Sequence, residues 1–315
     1  MIEPMHPNNT ENHAQHLLWN DFAGNVKLCQ TIAGYFGWNT KQIPTKGGVL
    51  QFIHTGKEWV SLPHLSYGGI TGVENLHNLL NNHPIKDSRW QIRYISPLSP
   101  YYRKDKILSY IELTDEKGLW KHLPQNLRRK IRKSYKNDLI TKQGSTELIH
   151  DFYDVYSRNM HRLGSPALPK DFLEHLTNQY HDGKQNHARI FVTYHSNKAV
   201  GASLLLISKG SAENMLFGSL HHYNHLYTTY MLHWEMMMYA VKNNVMTYSF
   251  GRSTKDSGVH HYKKQWNTKE IQLYWSYSHP LKKRIKDISF LAKAWKLIPY
   301  PIARITGPVF ARMLY

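Results

Sequence analysis

The chain has 315 residues, 41% of them hydrophobic and 13% aromatic, enough to bury the core of one large domain or two ordinary ones and to exclude a disordered chain. A net charge of +18 points to a polyanionic partner: RNA, an anionic bilayer surface or phosphate-bearing substrates. The single cysteine, Cys29, excludes an intrachain disulfide, so a reducing compartment is expected and a zinc site would need histidines.

The opening MIEPMHPNNTENHAQHLL has neither the cationic start nor the apolar core of a secretory signal, and no run of about 18 apolar residues occurs. A cytoplasmic protein is expected, soluble or peripheral on the inner face of the cytoplasmic membrane. β-Branched and aromatic residues between turn formers predict strands at 48–54 (GVLQFIH), 59–63 (WVSLP), 90–96 (WQIRYIS) and 107–113 (ILSYIEL). Leu123, Leu127, Ile131 and Tyr135, spaced four apart, predict one basic amphipathic helix over 119–136. Its stripe of Arg128, Arg129, Arg132, Lys133 and Lys136 suits a phosphate backbone as well as a plain solvated face.

Helices are expected over 147–163, with Phe152, Val155, Tyr156 and Met160 on one face, and over 172–180. A strand meander follows at 188–195, 199–208 and 212–220, with turns at Asn197-Lys198 and Lys209-Gly210-Ser211. Tyr230, Met231, Trp234, Met238 and Val241 form the inner stripe of a helix over about 226–242. Glu235 on that helix is placed to accept an amine proton or to hydrogen-bond within the core. Strands at 246–250 and 271–277 enclose a polar loop. The tail from Leu281 to Tyr315 mixes eight Lys and Arg with one acid, Asp287, and many apolar residues. It reads as an in-plane interfacial segment or as a tail packed on its own domain.

The densest stretch is FGRSTKDSGVHHYKKQWNTKEIQLYW, from Phe250 to Trp275. Gly251 and Gly258 bound a loop in which Arg252, Ser253, Thr254 and Lys255 supply donors for an anion. Tyr262 and Trp266 sit four apart around Lys263 and Lys264, a spacing that sets two rings beside an ammonium group. The bland alternative is a basic surface turn between two strands.

This block resembles the C-terminal signature of FemAB-like acyltransferases, in particular the branch associated with exosortase and exopolysaccharide systems, with its FGRS-x5-G-x3-[FY]KKxW pattern. LPHLSYGG (62–69), LRRKIRKSYKNDL (127–139), FYDVYSRNMHRLGSP (152–166) and HWEMMMYA (233–240) are similar to further segments of that branch, in the same order. The resemblance implies an α/β (α+β) fold of two tandem GNAT-like domains with mixed central sheets. The expected boundaries are a degenerate N-terminal copy over 1–145, a C-terminal copy over 146–280 carrying the signature, and the basic aromatic tail over 281–315. Two helices, three antiparallel strands, a helix, a strand and a final strand give the second copy its GNAT order. No sequence repeat is visible, so the first copy rests on the resemblance alone.

The resemblance also implies roles. Lys263 would stabilise the developing oxyanion, the catalytic assignment. Tyr262 would contact the donor's terminal nucleotide, with Lys264, Arg252 and Ser253 completing donor binding. Tyr67, Gly68 and Gly69 read as a backbone cradle for the acceptor or as a tight turn. Ser219, Asn224 and Thr228 flank the helix start that would face donor phosphates. The R/Q-x-x-G-x-[GA] loop of coenzyme A-dependent GNAT enzymes is missing, Asn267 stands where a glycine is common, and Tyr262 replaces the commoner phenylalanine. Either aminoacyl-tRNA or acyl-CoA therefore remains as cosubstrate, with no tightly bound cofactor expected.

Among the 21 histidines, His221, His222, His225, His260 and His261 cluster near the candidate cleft, but neither HExxH nor a Cys/His zinc spacing occurs and no metal is expected. No dinucleotide or P-loop pattern is present. The reading is an acyl- or aminoacyltransferase acting on an amine or hydroxyl of a cell-envelope precursor, a lipid- or nucleotide-linked glycan or a peptidoglycan stem peptide. Partners are that precursor, tRNA and an anionic membrane surface, with the protein a monomer or dimer. Its rivals are a non-catalytic basic scaffold of a polysaccharide assembly system and a nonspecific RNA-binding protein using 127–136.

Overall fold

The computed structural model describes residues 22–45, 48–68, 70–71, 80, 83–183, 185–280 and 289–313. One mixed sheet of 12 strands runs through them. In chain order the strands are β1 (Asn39–Thr45), β2 (Gly48–His54), β3 (Trp59–Val60), β4 (Ile70–Thr71), β5 (Trp90–Tyr94), β6 (Tyr101–Glu112), β7 (Leu139–Gly144), β8 (Asn186–His195), β9 (Lys198–Ser208), β10 (Ser211–Ser219), β11 (Thr247–Thr254) and β12 (Lys269–Tyr277). Their spatial order is 1-2-3-5-12-6-11-10-9-8-7, with β4 beside β2. The last strand thus lies between β5 and β6, antiparallel to both. The boundary drawn at 145/146 falls just after β7, which pairs with β8 on its far side.

Helices cover both faces. α1 (Val26–Phe36), α4 (Ile149–Leu163) and α5 (Lys170–Gln179) take one face; α2 (Glu116–His122), α3 (Gln125–Lys136), α6 (Thr228–Lys242) and α7 (Gly258–Lys264) take the other. Strand β9 shows why. Leu204 and Leu206 join the core containing Leu28, Phe152 and Phe172, while Leu205 and Ile207 join the core containing Ile131, Trp234 and Trp266. A strand buried on both faces reads as an unbroken apolar run, and AVGASLLLIS is one.

The expected meander, the helix at 226–242 and the strands at 48–54, 90–96 and 271–277 are present within a few residues. Three differences have local causes. The helix expected over 119–136 is two, because Pro124 cannot donate within a helix and Leu123 is extended (ψ 138°) before it. The chain enters α6 through a separate 3₁₀ turn, His221–Leu226, and Tyr227 at φ 63°. β11 continues through Arg252 and Ser253 to Thr254, residues expected in a loop, because the backbone of β6 pairs with them. Helix α1 and strand β1 were not expected. Asn25 caps α1 by accepting from the Leu28 amide, and Pro44 fits β1 because that strand is an edge.

The feature that shapes the site is a short parallel pairing. β10 and β11 are joined by the α6 crossover and pair only over Ser211–Glu213 and Thr247–Ser249. Beyond that point β10 bulges between Asn214 and Leu216, and β11 bulges between Ser249 and Arg252. Gly251 takes φ +71°, and a Cβ there would stand 3.1 Å from the Asn214 carbonyl oxygen. The two strands separate and leave a V-shaped opening.

Segment 62–68 closes over the foot of that opening. Leu62 and His64 both have positive φ, 44° and 74°. Gly68 is a close-packing residue, since a Cβ would lie 2.4 Å from the Leu62 Cβ. Gly68→Ala should cost about 1–3 kcal/mol through this overlap, seen as a lower urea midpoint with an unchanged denaturant slope.

Candidate active site

The opening between β10 and β11 deepens into a cleft of about 1080 Å³. Its floor comes from β10 and β11, one wall from α6 and α7, another from α4 and the residues after it, and its foot from His64 and Ser66.

Lys263 enters this cleft because α7 is a two-turn helix whose positions three apart, His260 and Lys263, face inward. Its Nζ donates to the Gly251 carbonyl oxygen at 2.6 Å, the carbonyl at the β11 bulge. The side chain is 5% exposed. Burial pushes the ammonium down to about 7; the nearby Glu213 carboxylate opposes that shift and Arg252 adds to it. Neighbouring Lys264 faces solvent.

Glu213 is the residue the sequence reading missed. It sits at the last position where β10 pairs with β11, 1% exposed, and lines the cleft. Its Oε1 accepts from the Ser66 amide at 3.1 Å and the Ser66 hydroxyl at 2.8 Å, while Oε2 is buried with no hydrogen-bond partner among the described residues. Burial raises its pKa, against the lowering effects of Ser66, Arg252 and Lys263. The single carboxylate in the strand SAENMLFGS was the available signal.

Arg252 lines the cleft with its guanidinium bonded to the Leu65 carbonyl at 2.8 Å and its amide to the Ser66 hydroxyl at 2.9 Å. Arg93, 2% exposed, donates to the same carbonyl, and both guanidiniums lie over the Trp275 ring. Burial, with Arg93 and Arg252 adding, pushes His64 down to about 3, so it is neutral at ordinary pH. His233, under Phe217 at 4.4 Å and bonded to the Tyr248 hydroxyl, is pushed down by burial and by Lys263.

Tyr262 lines the cleft with its ring 5.4 Å from Tyr230 and 5.8 Å from His233. Ser253 does not: it is buried in the sheet, opposite Ile107 of β6. Tyr67 is also corrected. It is fully buried in the core, because alternation along the segment turns its neighbours His64 and Ser66 to the cleft instead, and Gly68 packs on Leu62. Gly69 lies outside the described residues.

At the upper end, Tyr227, Thr229 and Tyr230 present the first turn of α6 to the cleft. Lys130, absent from the predicted basic stripe, reaches in from α3 and donates to the Tyr230 hydroxyl at 3.1 Å and Gln265 Oε1 at 2.9 Å. Lys133 lies over the Tyr227 ring at 5.9 Å. Ser219 and Asn224 also line the cleft, bonded to each other at 3.0 Å, whereas Thr228 is buried. Glu235 accepts from the Tyr135 hydroxyl and is not among the lining residues. Among the described residues no group of three His, Cys, Asp or Glu side chains could hold a metal. His260 instead ties the loop before α7 to β12: Nδ1 accepts from the Asp256 amide and Nε2–H donates to Glu270. No helix among the described residues is long and apolar enough to cross a membrane.

Residues 121–264 match the family described as the acetyltransferase (GNAT) domain, a span that ends with α7. Over that span the mixed sheet and its flanking helices are consistent with a GNAT fold. Over nearly the whole chain the fold is that of FemX, whose crystal structure superposes with a TM-score of 0.63 at 14% identity over 87% of this chain and 97% of FemX. The C-terminal domain of a putative lysylphosphatidylglycerol synthetase from Agrobacterium fabrum follows at 0.56 and 12%, covering 91% and 95% of the two chains. A tandem GNAT protein from the clavulanic acid biosynthesis pathway gives 0.53 and 9%, covering 87% and 97%. These likenesses are of fold. No curated protein sequence matches the chain.

The depressed Lys263 pKa has a stability consequence. Between about 7 and the ordinary lysine value of 10.5 the unfolded chain holds a proton on Lys263 that the folded chain lacks, so stability rises with pH through that window. Urea midpoints should climb from about pH 7 to about pH 9, at a slope of up to about 1.4 kcal/mol per pH unit for one proton. In Lys263→Met that rise should be lost.

Proposed function

We propose that the protein transfers an acyl or aminoacyl group to an amine or hydroxyl of a cell-envelope precursor, related to exopolysaccharide or peptidoglycan. The observation that carries this reading is the pair of buried, oppositely charged groups, Lys263 and Glu213, at the foot of the splay between β10 and β11. Burying either group costs free energy that packing alone does not require. The described fold supplies each with a reason to be there: a carbonyl for one, a serine hydroxyl and amide for the other.

In this reading the donor lies in the splay with its carbonyl oxygen toward Lys263. One of the three ammonium donors is held by Gly251, leaving two. The acceptor's lone pair attacks the carbonyl carbon, and the carbonyl electrons move onto oxygen, where the ammonium stabilises them. Glu213, through its unpartnered Oε2, takes the proton released by the acceptor amine or hydroxyl. Collapse re-forms the carbonyl and breaks the bond to the donor's oxygen or sulfur, which leaves with a proton. Lys130, Lys133 and the first turn of α6 suit the donor's phosphates. Tyr262 and Tyr230 offer ring faces to a nucleobase, and Arg252 an anionic group on either substrate. In place of the expected cradle of Tyr67, Gly68 and Gly69, His64 and Ser66 of the same segment reach the cleft. FemX and the lysylphosphatidylglycerol synthetase domain support a donor of the aminoacyl kind by likeness of fold, as does the missing coenzyme A loop.

The test is transfer of labelled acyl groups from charged tRNA and from acyl-CoA onto an envelope-precursor extract. Lys263→Ala should lower kcat by about 10²–10³. Glu213→Gln should lower it by about 10²–10⁴ and abolish the acidic limb of the pH profile. Equal transfer by wild type and Lys263→Ala, or none from either donor, would remove the reading in favour of a non-catalytic scaffold.

A further inference from the structure

After the sheet is complete, the chain forms α8 (Ser289–Leu297) and α9 (Tyr300–Met313), which pack on α4. The inward face of α9 is made of small residues four apart, Ala303, Gly307 and Ala311; a Cβ on Gly307 would already stand 3.4 Å from the Ala167 amide. Tyr300 shares a 2.8 Å hydrogen bond with Ser157, and Arg304 donates to Asp154 at 2.8 Å. The hairpin is therefore fixed to the domain and does not need its other face for folding.

That other face is apolar. Leu297 is 84% exposed, Ile305 77% and Phe290 71%, with Ile302, Val309 and Phe310 about half exposed. The outward stripe of a water-facing helix is normally polar. Lys293 and Lys296 are exposed on α8 among these residues, and 289–313 contains four basic residues and no acid.

We propose that the α8–α9 hairpin seats the protein on an anionic bilayer, its aliphatic residues entering the interface and its lysines meeting lipid phosphates. The charge pattern selects this occupant. A second copy docked through the same face would set Lys293 and Lys296 against their own symmetry mates. A nucleic acid would meet mainly the aliphatic side chains of Leu297, Ile302, Ile305 and Val309, with Phe290 and Phe310 the two exposed rings for stacking. Aliphatic residues interleaved with lysine are what an anionic lipid interface accepts.

The hairpin also borders the cleft. Ala311 of α9 lines it, and so does Leu163, which is 49% exposed. The next residue, Gly164, abuts α8 so closely that a Cβ would meet the Ala292 carbonyl at 2.5 Å. One mouth of the cleft thus opens beside the apolar face, and the acceptor is lipid-linked, delivered from the surface on which the protein sits. This last step rests on the acyl-transfer reading; the docking does not.

Flotation with vesicles of phosphatidylcholine, with and without phosphatidylglycerol, separates the two. Wild type should float with the anionic vesicles only. Leu297→Glu/Ile305→Glu should lose binding by about tenfold or more while keeping its melting temperature, since both side chains point outward. Lys293→Gln/Lys296→Gln should weaken the preference for anionic lipid. Wild type left in the supernatant with both vesicles, or a Leu297→Glu/Ile305→Glu variant that floats as well as wild type, would overturn the docking. So would a wild-type dimer in light scattering that this variant dissolves. With docking established, the variant should fail on an acceptor embedded in vesicles and retain full rate on a water-soluble acceptor; equal loss on both would overturn the lipid-linked acceptor. Absence of Lys263-dependent transfer in any format would count against the acyltransferase reading and leave the flotation result standing.

Discussion

The structure turns on the point where β10 and β11 stop pairing. Two parallel strands joined by a helix would ordinarily continue their ladder, and every backbone group released from it must find another partner. Here two bulges and a left-handed Gly251 end the ladder after three residue pairs. The Gly251 carbonyl so released is taken by Lys263. The same opening makes the cleft and fixes the ammonium inside it.

The charges around that point depend on both halves of the chain. Glu213 comes from β10, Lys263 from α7, Arg252 from β11, and the groups that hold them from segment 62–68 and β5. Ser66 serves Glu213 and Arg252 at once. Leu62 and His64 adopt positive φ to bring that segment in, a conformation that costs non-glycine residues about 1–3 kcal/mol each. Such strain persists where the surroundings over-determine it, and here they are the floor of the cleft. The first half of the chain completes the site and does not merely extend the sheet.

Much of this was legible in residue patterns. The meander from β8 to β10 alternates or runs apolar as its burial requires, and the YKKQW block marks α7 because a short helix with one inward lysine still shows rings at helical spacing. Other parts carried no local signal. Pro124 was overridden by an apparent four-residue period that continues across two separate helices. Tyr67 looked exposed beside two glycines, yet the neighbouring strands leave its ring no route except into the core. Glu213 was passed over because a single acid in a strand means nothing until its neighbours are known. Lys130 was hidden among more regular arginines.

Most of the elements, the double-sided burial of the central strands and the basic character of the molecule follow from the local order of apolar, polar and charged side chains. The sequence also marked Lys263, through motif and spacing. Which groups share the cleft depends on long-range packing. Placing β12 between β5 and β6 and closing segment 62–68 over the β10–β11 splay are long-range events. The proximity of Lys263 to Glu213, and the burial that shifts both, exist only once those distant segments have met.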